Sequence, residues 1–539
     1  MSHNSYDALP FEICCMIFDY LGVEDLKNAS LTCRRWCHII FSDSYIRRFM
    51  LKINLHRSDQ SKMVKPASVG SPVMSDRTIR VSIPTSSFPC SSLYQRCRLV
   101  KGKSKCELRH MSLVLRRSCR HYSNITFVCD NRSEFTDNVF NVILNLLRPS
   151  GLERVEMLKI ILSSNLNVLV TILNSAIRNM IRLKSFHLIY DPQRRLQCGD
   201  QVRPCVVIES ATVTHIELKS VIPEKIYLPK LNSLDVSLQP GIAAIIESVA
   251  SNLTTLRLQL DCTSANCGEE EIYALTLDRL KYLKLTRGFM NEFSFPIPVS
   301  SNRPGIKVRF FKHLTNLERL ILEEKYTAEN IFLAICETSR NLVELQIDHL
   351  KVVNCTVLDR LSLLQHLKTL TLRNIYSSHE ISFHYVYLPK LENLHLEIFK
   401  DSSYSFSKFV NLKQLTIGSY SSQAPEVIDI ISMHIQQLRE LKLYFLDYAG
   451  VPSRTFRKLT YLGQLRKLEL IKGQLRKDVF SRCPPGLSKL EAIVFNFCQL
   501  DSEQFDGLRD KFPRLRDVRF EDCLVRGQMP YSDVRLNYR

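Results

Sequence analysis

One apolar string recurs along most of this 539-residue chain and limits its fold more than any other feature. It has the form L-x-x-L-x-L, with other apolar residues substituting, and it starts at Leu152, Leu183, Val213, Leu231, Leu253, Leu280, Leu317, Leu342, Leu367, Leu391, Leu412, Leu438, Leu465, Leu490 and Leu515. Tyr122-x-x-Ile125-x-Phe127 reads as a degenerate earlier copy. Two copies share a longer stretch, YLPKLNSL from Tyr227 and YLPKLENL from Tyr387. The second and third apolar positions alternate, so they face one side of a short strand. The residues between copies must carry the chain back to the start of the next strand. A single unit of this kind cannot bury its apolar face, so neighbours have to stack, with their strands parallel and side by side. The interval of 18 residues between Val213 and Leu231 leaves no room for a full helix, whereas the 37 between Leu280 and Leu317 hold an excursion around Asn291 to Pro304.

The mean spacing of roughly 26 residues lies within the 20–29 range of leucine-rich repeats, and the pattern resembles theirs. The resemblance implies a solenoid over residues 121–530 with a parallel sheet on its concave side. The asparagine expected after the third leucine is mostly absent, although Cys498 and Cys523 take that place after Phe495 and Phe520. That resembles the cysteine-containing repeats found beside F-boxes. Outward strand positions hold eleven acidic and nine basic residues, a net of −2, with Arg154 and Glu156 counted among them. A nucleic-acid groove needs a basic stripe. This mixed face suits a folded protein or peptide partner. Glu344, Asp348, Arg373, Glu397, Glu440, Lys442, Tyr444 and Lys467 are the candidate partner-binding residues.

Residues 1–55 are built differently and read as a separate module. Pro10 and Glu12 suit the start of a helix, Ile13, Ile17, Phe18 and Leu21 form an apolar stripe, and Gly22 closes the helix. A second helix is expected from Glu24, with Leu26, Ala29, Cys33, Trp36 and Ile40 on one face, and a third from Asp43 to Leu51. So small a module exposes apolar side chains until something covers them.

Leu9-Pro10-x-Glu12, Ile17-Phe18-x-Tyr20-Leu21, Asp25-Leu26 and Ser30-Leu31-x-Cys33-Arg34-Arg35-Trp36 resemble the F-box in order, spacing and residue type. The resemblance implies docking onto the Skp adaptor and, through it, a cullin scaffold. The positions implied as contacts are Leu9, Pro10, Ile13, Ile17, Phe18, Leu21, Leu26, Cys33 and Trp36. Each also has an intramodule reading; Trp36, the single tryptophan, serves equally well as an anchor or as core.

Between module and repeats, residues 56–93 are Ser/Pro-rich and read as a flexible linker, in which only 79–83 alternate like a strand. Residues 94–120 are basic. Of the formal +19, residues 51–120 carry +12 and residues 1–50 carry −1. The basic segment is either a solvated entry into the repeats or a contact for nucleic acid, anionic lipid or an acidic partner. Residues 531–539 read as a tail.

No apolar stretch approaches the ~18 residues that cross a membrane. No secretory signal opens the chain, so a reducing cytoplasmic or nuclear setting is expected. The eighteen cysteines then read as small buried hydrophobes, since their spacing supplies no zinc knuckles. No metal or other cofactor is expected. The G-x-S-x-G, phosphate-loop and H-E-x-x-H patterns are missing, and His187, His215 and His395 read as polar lining of the sheet face. The chain as a whole is expected to be a mixed α/β, non-catalytic adaptor: a three-helix F-box followed by a leucine-rich-repeat solenoid that presents targets to a ubiquitin ligase. The alternative is a nucleic-acid-binding or scaffold repeat protein.

Overall fold

A computed structural model describes residues 11–40, 50–55, 78–81, 123–129, 152–162, 176–190, 207–260, 269–287, 304–324, 326–377, 379, 381–398, 402–403, 406–447, 449–452, 454–475, 480, 487–505, 508–526 and 535–538. Leu9 and Pro10, most of the Ser/Pro-rich stretch, all of the basic stretch 94–120, and the excursion before Pro304 lie outside these residues. The chain forms two compact units, Met1–Leu253 and Thr254–Arg539. It is a mixed α/β protein whose strands lie parallel.

The first unit opens with three short helices: α1 (Phe11–Asp19), α2 (Val23–Ser30) and α3 (Arg34–Ile40). The single second helix expected from Glu24 is thus broken in two. Thr32 and Cys33 break it, because both supply the side-chain groups that end and begin helices. The Thr32 hydroxyl donates back to the Ala29 carbonyl. Cys33 Sγ accepts the Trp36 N–H at 3.4 Å, the bond an N-cap makes to the first turn of α3. The helix expected from Asp43 to Leu51 cannot include its last two residues, since Met50–Leu55 is a strand, and residues 41–49 lie outside the described residues. That strand pairs with Asn124–Cys129 in the register Leu51↔Ile125 and Ile53↔Phe127, so it carries a copy of the repeat that its sequence disguises. Thr78–Val81, within the stretch read as linker, pairs with it on the other side.

The ladder then continues through Met157–Leu162, Ser185–Tyr190, His215–Lys219 and Ser233–Ser237. One copy was misaligned in the sequence. Leu158 pairs with Phe186 and Ile160 with Leu188, so the copy starts at Val155 and not at Leu152. Leu152 opens the turn before the strand, as its carbonyl accepts the Val155 N–H at 3.2 Å. Arg154 and Glu156 consequently leave the sheet face, and Lys159 takes the central position there. The return between Val213 and Leu231 holds only the short strand Lys225–Tyr227, as its length requires.

The second unit repeats one construction from Thr255–Gln259 to Arg535–Tyr538, the last four described residues adding a strand beyond the expected end of the repeats. Helices Pro304–His313, Glu329–Thr338 and Ala424–His434 lie in three of the returns, the shorter helices Glu269–Tyr273 and Leu508–Lys511 in two more, and 3-10 segments at Cys355–Leu363 and Leu459–Tyr461 in two others. The second and third apolar positions of every copy in this unit are at most 2% exposed, from Leu256 to Phe520. Toward the end of the unit, phenylalanines replace leucines and stack: Phe495 lies 5.5 Å from Phe520 and 5.5 Å from Phe505.

The strand exits obey a second constraint. Lys472, Phe497 and Asp522 occupy the same place in successive copies, each with a left-handed backbone of φ 51–57°. Such residues are costly outside glycine, and here the amides hold the turn: Lys472 N–H donates to Asn496 O, and Phe497 N–H to Glu521 O, each at 2.9 Å. The next residue differs from copy to copy. Gly473 leaves room for the Phe445 ring, since a Cβ there would lie 2.8 Å from Cδ2. Cys498 instead fills the space and donates its thiol to Leu470 O at 3.2 Å.

Candidate functional site

Helix α1 carries apolar side chains nearly all round, and only one side of it finds a core. Cys14 and Phe18, four residues apart, pack with Leu26, Ala29, Ile39 and Ile40. Leu21, Cys15 and Trp36 cover the edge of this cluster. Trp36 meets Phe18 edge-on at 5.2 Å, and its buried Nε1 has no hydrogen-bond partner among the described residues. The opposite side is open. Ile13, Met16, Ile17 and Tyr20, at i, i+3, i+4 and i+7, form a helical face of their own. Ile17 is 41% exposed, Met16 59% and Tyr20 89%, and Phe11 and Leu31 are exposed as well.

The single stripe of Ile13, Ile17, Phe18 and Leu21 read from the sequence is therefore two stripes. Phe18 and Leu26 are fully buried core, Leu21, Cys33 and Trp36 are half-buried, and Ile13 and Ile17 face out. Leu9 and Pro10 lie outside the described residues. Met16 and Tyr20 were missed as surface groups. Plotting the apolar residues at 100° each separates 13/16/17/20 from 14/18/21 and would have found them. The acidic side chain at the start of α1, Glu12, complements the helix dipole.

Residues 6–52 match the F-box-like family. No curated protein matches the chain. F-box domains bind Skp-type adaptors, and the open face of α1 belongs to the F-box-like segment. The match stops at Lys52, inside the first strand, so every later copy of the repeat stands outside it.

The candidate partner-binding residues of the second unit fall on one sheet face, and most are already paired. Arg373 reaches Asp348 at 3.4 Å, and Lys442 and Lys467 both bind Glu469, at 2.7 and 3.0 Å. His395 holds Glu397 at 2.8 Å. Burial alone would raise the Glu397 pKa, but the His395 bond and the Arg373 and Lys442 charges outweigh it and hold the carboxyl below its usual value. Asp348 and Arg373 thus pair on neighbouring strands, and Lys442 and Glu469 are register partners on another pair, which the Gln414–Ser419 strand separates from Glu397. Glu344 stands apart, bound by Arg319 Nε at 2.6 Å. Glu440 lies between Gln414 and Lys467 in register. The Tyr444 hydroxyl accepts from Lys472 Nζ at 2.6 Å.

On the sheet face of the first unit, His187 does more than line a wall. Its Nδ1 lies 2.6 Å from Glu217 Oε2 and its Nε2 2.7 Å from the Ser185 hydroxyl. A serine, imidazole and carboxylate in series are the parts of a nucleophile, but acyl transfer also requires amides aimed at the developing oxyanion. The neighbouring amides are bound in the ladder: Lys184 and Ser185 donate to Glu156 O, and Thr214 and His215 to Lys184 O. Glu217 is shared with Lys219 at 2.5 Å and Lys159 at 3.9 Å. Burial would raise its pKa; the His187 and Lys219 bonds and the two ammonium charges overcome that and lower it to about 2. The cluster is a charge network that pins adjacent strands. Among the described residues no group of three or more His, Cys, Asp or Glu side chains is arranged to hold a metal ion, and no helix is long and apolar enough to cross a membrane.

Proposed function

We propose that the chain is the substrate-recognition subunit of an SCF-type cullin-RING ubiquitin ligase. The observation that carries this is the uncovered apolar face of α1 inside the F-box-like match. Three helices with a core of six buried residues leave Ile13, Met16, Ile17 and Tyr20 in water, and an adaptor that covers them removes that cost. In this reading Leu9, Pro10, Ile13 and Ile17 are contacts, joined by Met16 and Tyr20. Phe18 and Leu26 shape the module from within.

The remaining chain is a leucine-rich-repeat solenoid. Support comes from the register that aligns the inward apolar pair of each copy with the next, as in Leu441↔Leu468 and Leu443↔Leu470. Such an array presents a long surface to a protein partner. The chain itself is non-catalytic: it raises the target's effective concentration beside a ubiquitin-charged enzyme. Its place is the cytoplasm or the nucleus.

The test uses the full chain and purified Skp adaptor. Ile17→Asp should abolish co-purification while the melting transition stays in place, because Ile17 is exposed in the free protein. Undiminished co-purification of this variant, together with that of Met16→Asp, would remove α1 from the interface and with it the ligase reading.

A further inference from the structure

A short basic edge lies on the second unit, at the residue before the strand in three successive copies. Lys413, Arg439 and Arg466 occupy three consecutive rungs of it. Arg439 N–H donates to Lys413 O at 2.8 Å and Arg466 N–H to Arg439 O at 2.7 Å, so the three side chains leave the backbone from adjacent strands. Adjacent strands lie about 4.8 Å apart. Lys413 is bound by Glu392 at 2.9 Å. Arg439 and Arg466 are exposed, and neither makes a side-chain hydrogen bond or ion pair with any described residue. Beside this row Lys390 Nζ meets the His366 ring nitrogen at 3.1 Å, an imidazole where a carboxylate would serve better.

Among the candidate partner-binding residues of the unit, the cations are already matched: Arg373 by Asp348, and Lys442 and Lys467 by Glu469. Anions that bind there must displace a carboxylate. At the edge they need not. Two guanidiniums on neighbouring rungs repel each other, and a carboxylate set between them relieves the repulsion through planar, two-pronged hydrogen bonds.

We infer that this edge, centred on Arg439 and Arg466, docks an acidic peptide segment of the target protein. The inference rests on the substrate-receptor reading and names the chemistry of the substrate. A peptide fits better than a nucleic acid because the cationic stretch is short. Glu392 precedes Lys413 and Glu491 follows Arg466 on the same row, as their amide bonds to Lys368 O and Arg466 O show. A polyphosphate laid along the row would meet a carboxylate at either end, whereas a cluster of a few Asp or Glu residues ends where the cations end.

The experiment is fluorescence anisotropy of labelled hexaglutamate on the full chain, with oligothymidylate as the competing polyanion. Arg439→Ala with Arg466→Ala should weaken the peptide roughly tenfold. Glu392→Gln with Glu491→Gln should tighten it, and higher salt should weaken it. Absence of peptide binding, indifference to both pairs, or loss on neutralising Lys101, Lys103, Lys105, Arg116 and Arg117 instead would each overturn the proposal. So would tighter binding of oligothymidylate that depends on the same arginines. Co-purification of the adaptor, measured on the same variants, should not change. Its failure in the wild-type chain would count against the ligase reading and leave the edge standing.

Discussion

Helix α1 and the repeats of the second unit are both rich in apolar residues, yet they treat them in opposite ways. In the repeats the apolar pair of each copy alternates along a strand, so both side chains enter one core, and the copies on either side cover them to 2% exposure or less. In α1 apolar residues surround a nine-residue helix that has a core on one side only. A period of two with neighbours on both sides is self-sufficient. A helix with two apolar faces is not. The contrast separates residues that hold this chain together from residues left for a partner, and substitutions can test it on both sides.

The largest effects belong to the open face. Met16→Asp and Ile17→Asp should each lower adaptor affinity by at least about a hundredfold, since a charge is then buried unpaired in the complex. Thermal denaturation should shift little for either. Phe18→Asp should instead unfold the module, because Phe18 is wholly buried against Cys14, Leu26 and Ile40. Equal behaviour of Ile17→Asp and Phe18→Asp in the melt would erase the distinction between the two faces.

A repeat position should show the reverse pattern. Leu370 is fully buried and aligned with Leu345 and Leu394. Leu370→Ala should cost about 2–5 kcal/mol in chemical denaturation and leave adaptor binding intact. Stability lost at a single position in this way marks the repeats as one stacked array, since each unit depends on its neighbours.

Much of this division was legible from the residues. The L-x-x-L-x-L string located the parallel strands because a buried strand pair cannot shift register by one without turning its leucines outward. It failed where other residues decided. Val155 escaped because Leu152, three residues earlier, also begins an apolar string with Val155 and Met157, and Met50–Leu55 escaped because Arg48 stands at the leading position of its copy; strand pairing, which sequence spacing does not display, places both. In the F-box-like segment the motif residues were recognised, but one stripe was drawn where the helix has two. Motif positions combine packing with binding, and only the angular position around α1 parts Ile17 from Phe18. The network of Ser185, His187 and Glu217 was invisible in sequence, since Glu217 lies thirty residues from His187 and reaches it across a strand pair.

Glycine positions sharpen the comparison at the strand exits. Gly473→Ala places a Cβ 2.8 Å from the Phe445 ring and should cost about 1–3 kcal/mol, as overpacking does. Gly241→Ala meets nothing within 4 Å, but it asks alanine to hold φ +91°, so its cost is backbone strain of about 1 kcal/mol or somewhat more. Restoring room with Phe445→Leu should rescue part of the loss at Gly473 and none at Gly241. Double-mutant denaturation curves measure this directly.

The smallest effect concerns Glu217, and pH gives it a sign. The folded carboxyl titrates near 2, below its ordinary 4.5, so the folded state binds fewer protons in that range than the unfolded chain. Its share of stability is fully present above pH 4.5 and fades as the pH falls toward 2. Glu217 itself is buried, but the Lys159 and Lys219 side chains that oppose it are each about a third exposed, and solvent around them screens the attraction and holds that share to about 1 kcal/mol. Glu217→Gln keeps the shape and hydrogen-bonding capacity but removes the charge that Lys159, Lys219 and the His187 imidazole surround. Unfolding at a series of pH values should therefore show the two proteins differing most at neutral pH and converging below pH 4.5. A difference that stays constant across the series would mean that Glu217 acts through packing alone, and that charge does not tie these strands together.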